Sequence, residues 1–198
     1  MFFEVILSQF LSSLLNFHFM LKVKDTIIDD EERAGWTGQC YAWINGISGA
    51  MQFFILPLVT KNINPAWLWI SMPGIMLFLT TLQLFGNSQS TPLSLVACTF
   101  LSMKIIEYSL RGQVSEMVFA SLDYESRFVG KQKIGLLANR LGKSVTAISL
   151  FLLATYFDKD ESELYHILVV GSTVAAFLWL LTTINLTHFM DKPKQASK

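Results

Sequence analysis

Six long apolar segments constrain the fold of this chain more than any other feature. Each reaches or approaches the ~20 residues that a helix needs to cross a hydrocarbon layer of ~30 Å. They lie at 1–21, 38–59, 66–85, 92–119, 134–157 and 164–189. A segment in lipid must satisfy its own backbone hydrogen bonds, and the alternating pattern of barrel strands does not occur, so each segment is predicted to be a helix. The sequence therefore predicts an all-α, polytopic membrane protein, with a six-helix bundle over 1–190 and a basic cytoplasmic tail over 191–198.

Composition supports the membrane class. Of 198 residues, 52% are hydrophobic and only 15% are charged, whereas soluble domains carry about 25% charged residues. The formal net charge of zero argues against a nucleic-acid partner. The first segment lacks a basic start and a small-residue cleavage site, which favours a retained helix over a cleaved signal peptide.

The distribution of basic residues predicts an orientation. Lysines and arginines collect on the cytoplasmic side of membrane proteins. One side of the predicted bundle receives Lys61, Arg127, Lys131, Lys133, Lys192, Lys194 and Lys198, and the other receives Lys22, Lys24, Arg33 and Lys159. The first side is predicted to be cytoplasmic, and six crossings then place both termini in the cytoplasm.

Three ionisable residues interrupt the fourth apolar segment. Lys104, Glu107 and Arg111 are spaced by three and four residues, which puts them on one helix face and lets Glu107 pair with either cation. Inserting all three unpaired would cost on the order of 8–10 kcal/mol, so exposure to lipid is excluded. Two interpretations stay open: a polar stripe along a substrate or ion path, or a self-neutralising ladder that docks helices.

Other polar residues near the helix ends are weaker candidates. Arg140 and Lys143 have the chemistry to bind phosphate groups, but their spacing alone favours side chains that extend to the membrane interface. His18 precedes Lys22 by four residues, and a packed polar histidine is favoured there over a proton relay. The small residues Gly46 and Ala50 are spaced as in closely packed helices.

No enzyme signature is present in the sequence. No cluster has metal-ligand spacing, and H-E-x-x-H, G-x-S-x-G and Walker-type patterns are absent from the printed sequence. The sequence therefore predicts neither an enzyme nor a bound cofactor or metal.

A resemblance to a known family begins in the fourth segment and continues into the fifth. The motifs that carry it are Val114-Ser115-Glu116-Met117-Val118-Phe119-Ala120-Ser121-Leu122-Asp123, then Gly130-Lys131, then Leu141-Gly142-Lys143-Ser144. These blocks resemble the C-terminal half of the nucleotide transporter family, the TLC-type ATP/ADP translocases of obligate intracellular bacteria and plastids. The chain resembles, more loosely, one half of a major facilitator carrier. The resemblance implies an integral protein of a bacterial inner membrane or an equivalent membrane.

The resemblance also implies a function and a set of binding residues. Carriers of this kind bind a nucleotide near the bilayer midplane between two six-helix halves, so the implied ligand is ATP, ADP or a related anionic metabolite. Glu116 and Lys143 are the positions to which a functional role carries over. The full predicted substrate-binding set is His18, Lys22, Lys104, Glu107, Arg111, Glu116, Arg140 and Lys143.

The sequence also departs from the family pattern. Ser115 stands in place of a lysine, Val145-Thr146 in place of two glycines, Gly135 in place of an aspartate, and His18 at a usually acidic position. Six helices supply one half of a two-half cavity, so a working carrier is expected to need a second six-helix half or a homo-oligomer. The alternative is a non-transporting membrane interaction protein or a truncated carrier remnant.

Overall fold

The chain folds into a bundle of helices. The computed structural model describes residues 2–86, 91–120, 139–156 and 161–195, and no strand occurs among them. The helices are α1 (Phe2–Thr26), α2 (Asp30–Ala50), α3 (Leu56–Asn62), α4 (Pro65–Phe85), α5 (Leu93–Ile105), α6 (Arg111–Ala120), α7 (Asn139–Tyr156) and α8 (Glu161–Gln195). Two π-helical segments, Met51–Ile55 and Ile106–Leu110, join α2 to α3 and α5 to α6 without a break.

Five continuous helices within the described residues are long and apolar enough to cross a membrane. They are Phe2–Thr26, Asp30–Asn62, Pro65–Phe85, Leu93–Met117 and Glu163–His188. The predicted all-α, polytopic membrane class is therefore confirmed. The helix α7 is eighteen residues long and is not among these five; the predicted fifth segment extended to 134–138 and 157, which lie outside the described residues.

The observed helix ends differ from the predicted ones mainly where polar residues continue a helix. The first helix ends at Thr26 rather than 21, and the second begins at Asp30 rather than 38. Acidic residues in the first turn of α2 and Lys24 in the last turn of α1 suit the partial charges of helix ends. The last helix continues to Gln195 rather than 189, so the predicted tail is helical over 191–195. Polar composition therefore marks where a helix leaves the hydrocarbon, but not where the helix ends.

The helix α1 lies at the centre of the bundle and packs against α5, α7 and α8. Its start contacts Trp179 and its end contacts Tyr165, so α1 and α8 run antiparallel. On its α5 side, the rings of Phe19 and Phe100 stack with centroids 4.3 Å apart. Polar groups on α1 are consequently surrounded by protein along much of the helix.

The two π-helical segments lie side by side. Pro57 follows the first, and a proline inside a helix removes one backbone hydrogen bond and widens the turn before it. Gln52 Nε2 in this segment donates to the Tyr108 carbonyl oxygen of the second at 2.5 Å. The second segment also carries Glu107, so an irregular turn places this carboxylate against α1.

Candidate functional site

The helix α1 presents a buried polar stripe to its neighbours. Glu4, Ser8 and Ser12 recur at intervals of four residues, and Gln9 lies beside them. Their exposed fractions are 3% for Glu4, 0% for Ser8, 7% for Gln9 and 3% for Ser12. Residues four apart lie on one face of a helix, so the sequence of α1 itself creates this stripe.

Opposite the stripe, Lys104 and Glu107 form a close ion pair. Lys104 Nζ lies 2.9 Å from Glu107 Oε2 and 3.0 Å from the Ser12 hydroxyl oxygen. The Ser12 hydroxyl donates to Glu107 Oε2 at 2.9 Å, and Gln9 Nε2 donates to Glu107 Oε1 at 3.2 Å. Both carboxylate oxygens of Glu107 are therefore hydrogen-bonded, and the pair is joined to α1 by two neutral side chains.

A second ion pair joins α1 to α6, and a hydrogen bond links the same carboxylate to α8. Arg111 Nε lies 4.0 Å from Glu4 Oε1, and the two side chains are 13% and 4% exposed. Arg111 Nη2 donates to the Val5 carbonyl oxygen at the long distance of 3.4 Å. Trp179 Nε1 donates to the same oxygen of Glu4 at 3.0 Å. Glu4 therefore has one short hydrogen bond, from the indole, and one looser cation contact.

We call the residues of these two ion pairs and their hydrogen-bond partners the ionic network. Its members are Glu4, Gln9, Ser12, Lys104, Glu107, Arg111 and Trp179. The network contains two carboxylates and two cations, so its formal charge is zero. Removing one partner of a buried ion pair leaves an uncompensated charge and costs about 3–5 kcal/mol. The charged groups of the network thus neutralise one another.

The structure brings three of the predicted binding residues together against α1. Lys104, Glu107 and Arg111 all turn to α1, as their spacing predicts. Arg140 and Lys143, at the start of α7, have exposed side chains, and no hydrogen bond or ion pair between described residues joins either to the network. Glu116 is also exposed. The motif residues at 121–133 lie outside the described residues.

The backbone of α7 nevertheless approaches the network closely. A Cβ atom at Gly142 would lie 3.2 Å from Gln9 Cβ, and Gln9 binds Glu107. The next turn is held by Thr146, which is 1% exposed and donates to the Gly142 carbonyl oxygen at 2.6 Å. Lys143 therefore leaves α7 one residue from a direct contact with the polar stripe of α1.

His18 and Lys22 form a separate polar group toward the other end of α1. His18 is 1% exposed, and its Nδ1 has no hydrogen-bond partner among the described residues. The centroids of the Tyr165 and His18 rings are 5.8 Å apart. Lys22 Nζ lies 5.2 Å from the centroid of the same Tyr165 ring. His18 and Lys22 thus both contact Tyr165, and Ser12 is the nearest network residue to His18 along α1.

The sequence reasoning missed four members of the network. Glu4, Gln9, Ser12 and Trp179 were not among the predicted site residues. The polar interval of four in α1 was the available signal for Glu4 and Ser12. No comparable signal exists for Trp179, since an indole in an apolar helix is equally typical of the core.

Two open grooves are lined by described residues, and the network lines neither. The groove between α2 and α5, of about 450 Å³, is bordered by residues such as Trp43, Cys98 and Ile105. The other lies between the end of α1 and the start of α2, next to Lys24 and Arg33. Among the described residues, no group of three or more histidine, cysteine or acidic side chains is placed to hold a metal ion.

Comparison with known proteins identifies the family. No solved structure matches the chain. The family model described as TLC ATP/ADP transporter matches residues 90–189, from just before α5 through most of α8, which is just over half of the chain. The matched region includes Lys104, Glu107, Arg111 and Trp179. The chain therefore belongs to the TLC ATP/ADP transporter family, a family of membrane transporters rather than enzymes.

Proposed function

We propose that the chain carries ATP, ADP or a related anionic metabolite across the membrane as one six-helix half of a carrier. The observation that supports this most is the neutral ionic network buried around α1 in a member of a nucleotide transporter family. A purely apolar contact would dock these helices at lower cost, because buried ion pairs are no more stabilising than well-packed apolar residues.

The network suits exchange of one anion contact for another. In the empty state, each buried cation is neutralised by a carboxylate of the chain. A phosphate group offers the same charge-assisted hydrogen bonds and replaces a carboxylate at a cation. Since α1 contacts α5, α7 and α8, a change in its ion pairs alters how several helices pack. Such a change is the kind of event that couples substrate binding to the rocking of carrier halves.

The exposed cations of α7 fit the proposed second half. Arg140 and Lys143 lie close in sequence to Gly142, which meets α1 at Gln9, and their side chains are exposed. A second six-helix half, from a partner chain or a second copy, would cover this surface and enclose a phosphate group against Lys143. Arg140, Lys143 and Arg111 would then approach the substrate from neighbouring helices.

Uptake of radiolabelled ATP and ADP by cells expressing the chain tests this proposal. We expect uptake above that of cells with an empty vector, from the chain alone or together with a six-helix half encoded beside it. Lys143→Ala should lower uptake at least tenfold, since it removes a charged contact worth about 1.5–3 kcal/mol. Lys61→Ala is the matched control, because Lys61 is an exposed cation at the end of α3.

The outcomes separate a carrier from a protein that only docks helices. Uptake that Lys143→Ala abolishes and Lys61→Ala spares supports the carrier. Absence of uptake in every combination, with normal membrane levels of the chain, contradicts it and favours the alternative of a non-transporting interaction protein or carrier remnant.

A further inference from the structure

We infer that Arg111 is the cation of the ionic network that receives the anionic group of the substrate, and that Glu4, held by Trp179, is its counter-ion when the site is empty. This inference rests on the proposed function and assigns different roles to the two ion pairs. The ligand chemistry it requires is a phosphate-type group with two oxygens free to accept hydrogen bonds.

The contacts of Lys104 leave it little capacity for a ligand. An ammonium has three donors. Two of them are used at short range, by the Glu107 carboxylate at 2.9 Å and the Ser12 hydroxyl at 3.0 Å. The nitrogen also lies 5.7 Å from the centroid of the Tyr108 ring, within the distance of a cation–π contact. Because Glu107 accepts two further hydrogen bonds, from Gln9 and Ser12, this pair is fixed from both sides and serves to hold α5 against α1.

The contacts of Arg111 are few and long. A guanidinium has five N–H donors in a rigid fork. Within the described part of the chain, Arg111 has one hydrogen bond, 3.4 Å in length, and one ion pair, 4.0 Å in length. Its side chain is 13% exposed, so the group is largely desolvated while most of its donors are unused. Desolvated, unused donors favour a strong interaction with an incoming anion, and the planar fork matches two oxygens of a phosphate.

Glu4 is placed to release Arg111 without losing its own position. Its Oε1 accepts a 3.0 Å hydrogen bond from the Trp179 indole on α8, which is shorter than its 4.0 Å contact with Arg111. When a phosphate engages the guanidinium, the indole still satisfies this carboxylate oxygen. Glu4 therefore competes with the substrate for Arg111. The hydrogen bond from Trp179 lowers the free-energy cost of separating Glu4 from Arg111.

Binding of ATP and of pyrophosphate to the full chain in lipid nanodiscs, measured by calorimetry, tests the inference. Arg111→Gln should weaken the binding of both ligands roughly tenfold or more, because it removes a bidentate charged contact. Arg111→Lys should have an intermediate effect, since it keeps the charge and loses the fork. Lys104→Gln should weaken binding less than Arg111→Gln does. Its main effect should be a lower melting temperature, because it removes a charge that holds α5 against α1. Glu4→Gln should tighten binding several-fold, because the amide accepts from Trp179 but no longer competes as an anion.

Each result separates the inference from the function on which it rests. If wild type binds ATP and Lys104→Gln loses as much affinity as Arg111→Gln, or more, the division of roles is overturned and the carrier proposal stands. If Glu4→Gln weakens binding, the competition by Glu4 is overturned, even where Arg111→Gln fails to fold. If pyrophosphate binds in an Arg111-dependent way but ATP does not, the anion site stands and the nucleotide proposal falls. If neither ligand binds to wild type alone, the assignment of Arg111 falls, and the carrier proposal falls with it only if uptake is also absent when a second half is present.

Discussion

At the scale of single residues, the two ion pairs differ in how closely they are held, because Lys104 and Glu107 lie 2.9 Å apart and Arg111 and Glu4 lie 4.0 Å apart. They differ also in the distance between the partners along the chain. The Lys104–Glu107 pair lies within one turn, so the spacing of three predicts it directly. The contact between Arg111 and Glu4 joins residues that are more than a hundred positions apart. Such a contact depends on how α1 and α6 pack, which a single sequence does not specify. The hydrogen bond from Trp179 to Glu4 also joins residues far apart in the sequence, so it could not be predicted from spacing.

The Lys104–Glu107 pair should behave as a unit when one partner is removed. Glu107→Gln leaves Lys104 uncompensated in a largely buried position, and we expect it to lower stability by about 3–5 kcal/mol. The double variant Lys104→Gln/Glu107→Gln removes both charges and should be less destabilised than Glu107→Gln alone. Melting temperatures of the purified chain in detergent measure both effects, with Lys61→Gln as the exposed-charge control. A loss in the double variant equal to the sum of the losses in Lys104→Gln and Glu107→Gln would mean that the two residues are not coupled.

At the scale of helices, the length of the apolar segments predicted where the helices lie. The spacing of small residues did not predict which helices make close contact. The spacing of Gly46 and Ala50 predicts a close helix contact, yet in the described part of the chain no atom of another helix lies within 4 Å of a Cβ built at Gly46. The close approach is instead at Gly142, against Gln9 of α1. Glycine indicates that a close contact is sterically allowed, whereas the partner that makes it depends on the tertiary arrangement. The observed helices extend beyond the predicted apolar segments, because a helix can continue past the membrane surface where its backbone and end charges permit.

Adding a side chain at Gly142 should disturb both packing and the ionic network. Gly142→Val places new atoms against Gln9 Cβ, which is fixed to the backbone of α1 and cannot rotate away. Overpacking of this kind costs about 1–3 kcal/mol, and displacement of Gln9 also weakens its 3.2 Å hydrogen bond to Glu107. Gly46→Val is the matched control, since it has the same propensity change in an open position. We expect the melting temperature to fall clearly further for Gly142→Val, and equal shifts would contradict the close contact of α1 with α7.

At the scale of the whole molecule, the number of crossings decides how the chain can assemble. Five helices among the described residues meet the length and hydropathy of membrane spans, and α7 is the remaining helix of the six predicted. Arg140 and Lys143 lower the hydropathy of its first turns, but lysine and arginine near a helix end can reach the interface with their side chains. Six crossings would give the even count that a carrier half requires, with both ends of the chain on the same side.

Reporter fusions distinguish six crossings from five. With six, the distribution of lysines and arginines predicts that both termini are cytoplasmic, and a green fluorescent protein joined after Lys198 should then fluoresce. Alkaline phosphatase joined at Gln89, three crossings from the N-terminus, should be active because it reaches the opposite side. Joined at Asn64, after two crossings, it should be inactive.

If α7 does not cross, the fluorescent reporter after Lys198 is exported and dark, while the Gln89 and Asn64 fusions are unchanged. If the bundle is inverted, phosphatase activity moves from Gln89 to Asn64. Only the six-crossing outcome leaves α7 inserted beside α1, where Lys143 would lie in the membrane and could meet a substrate at the proposed interface with a second half.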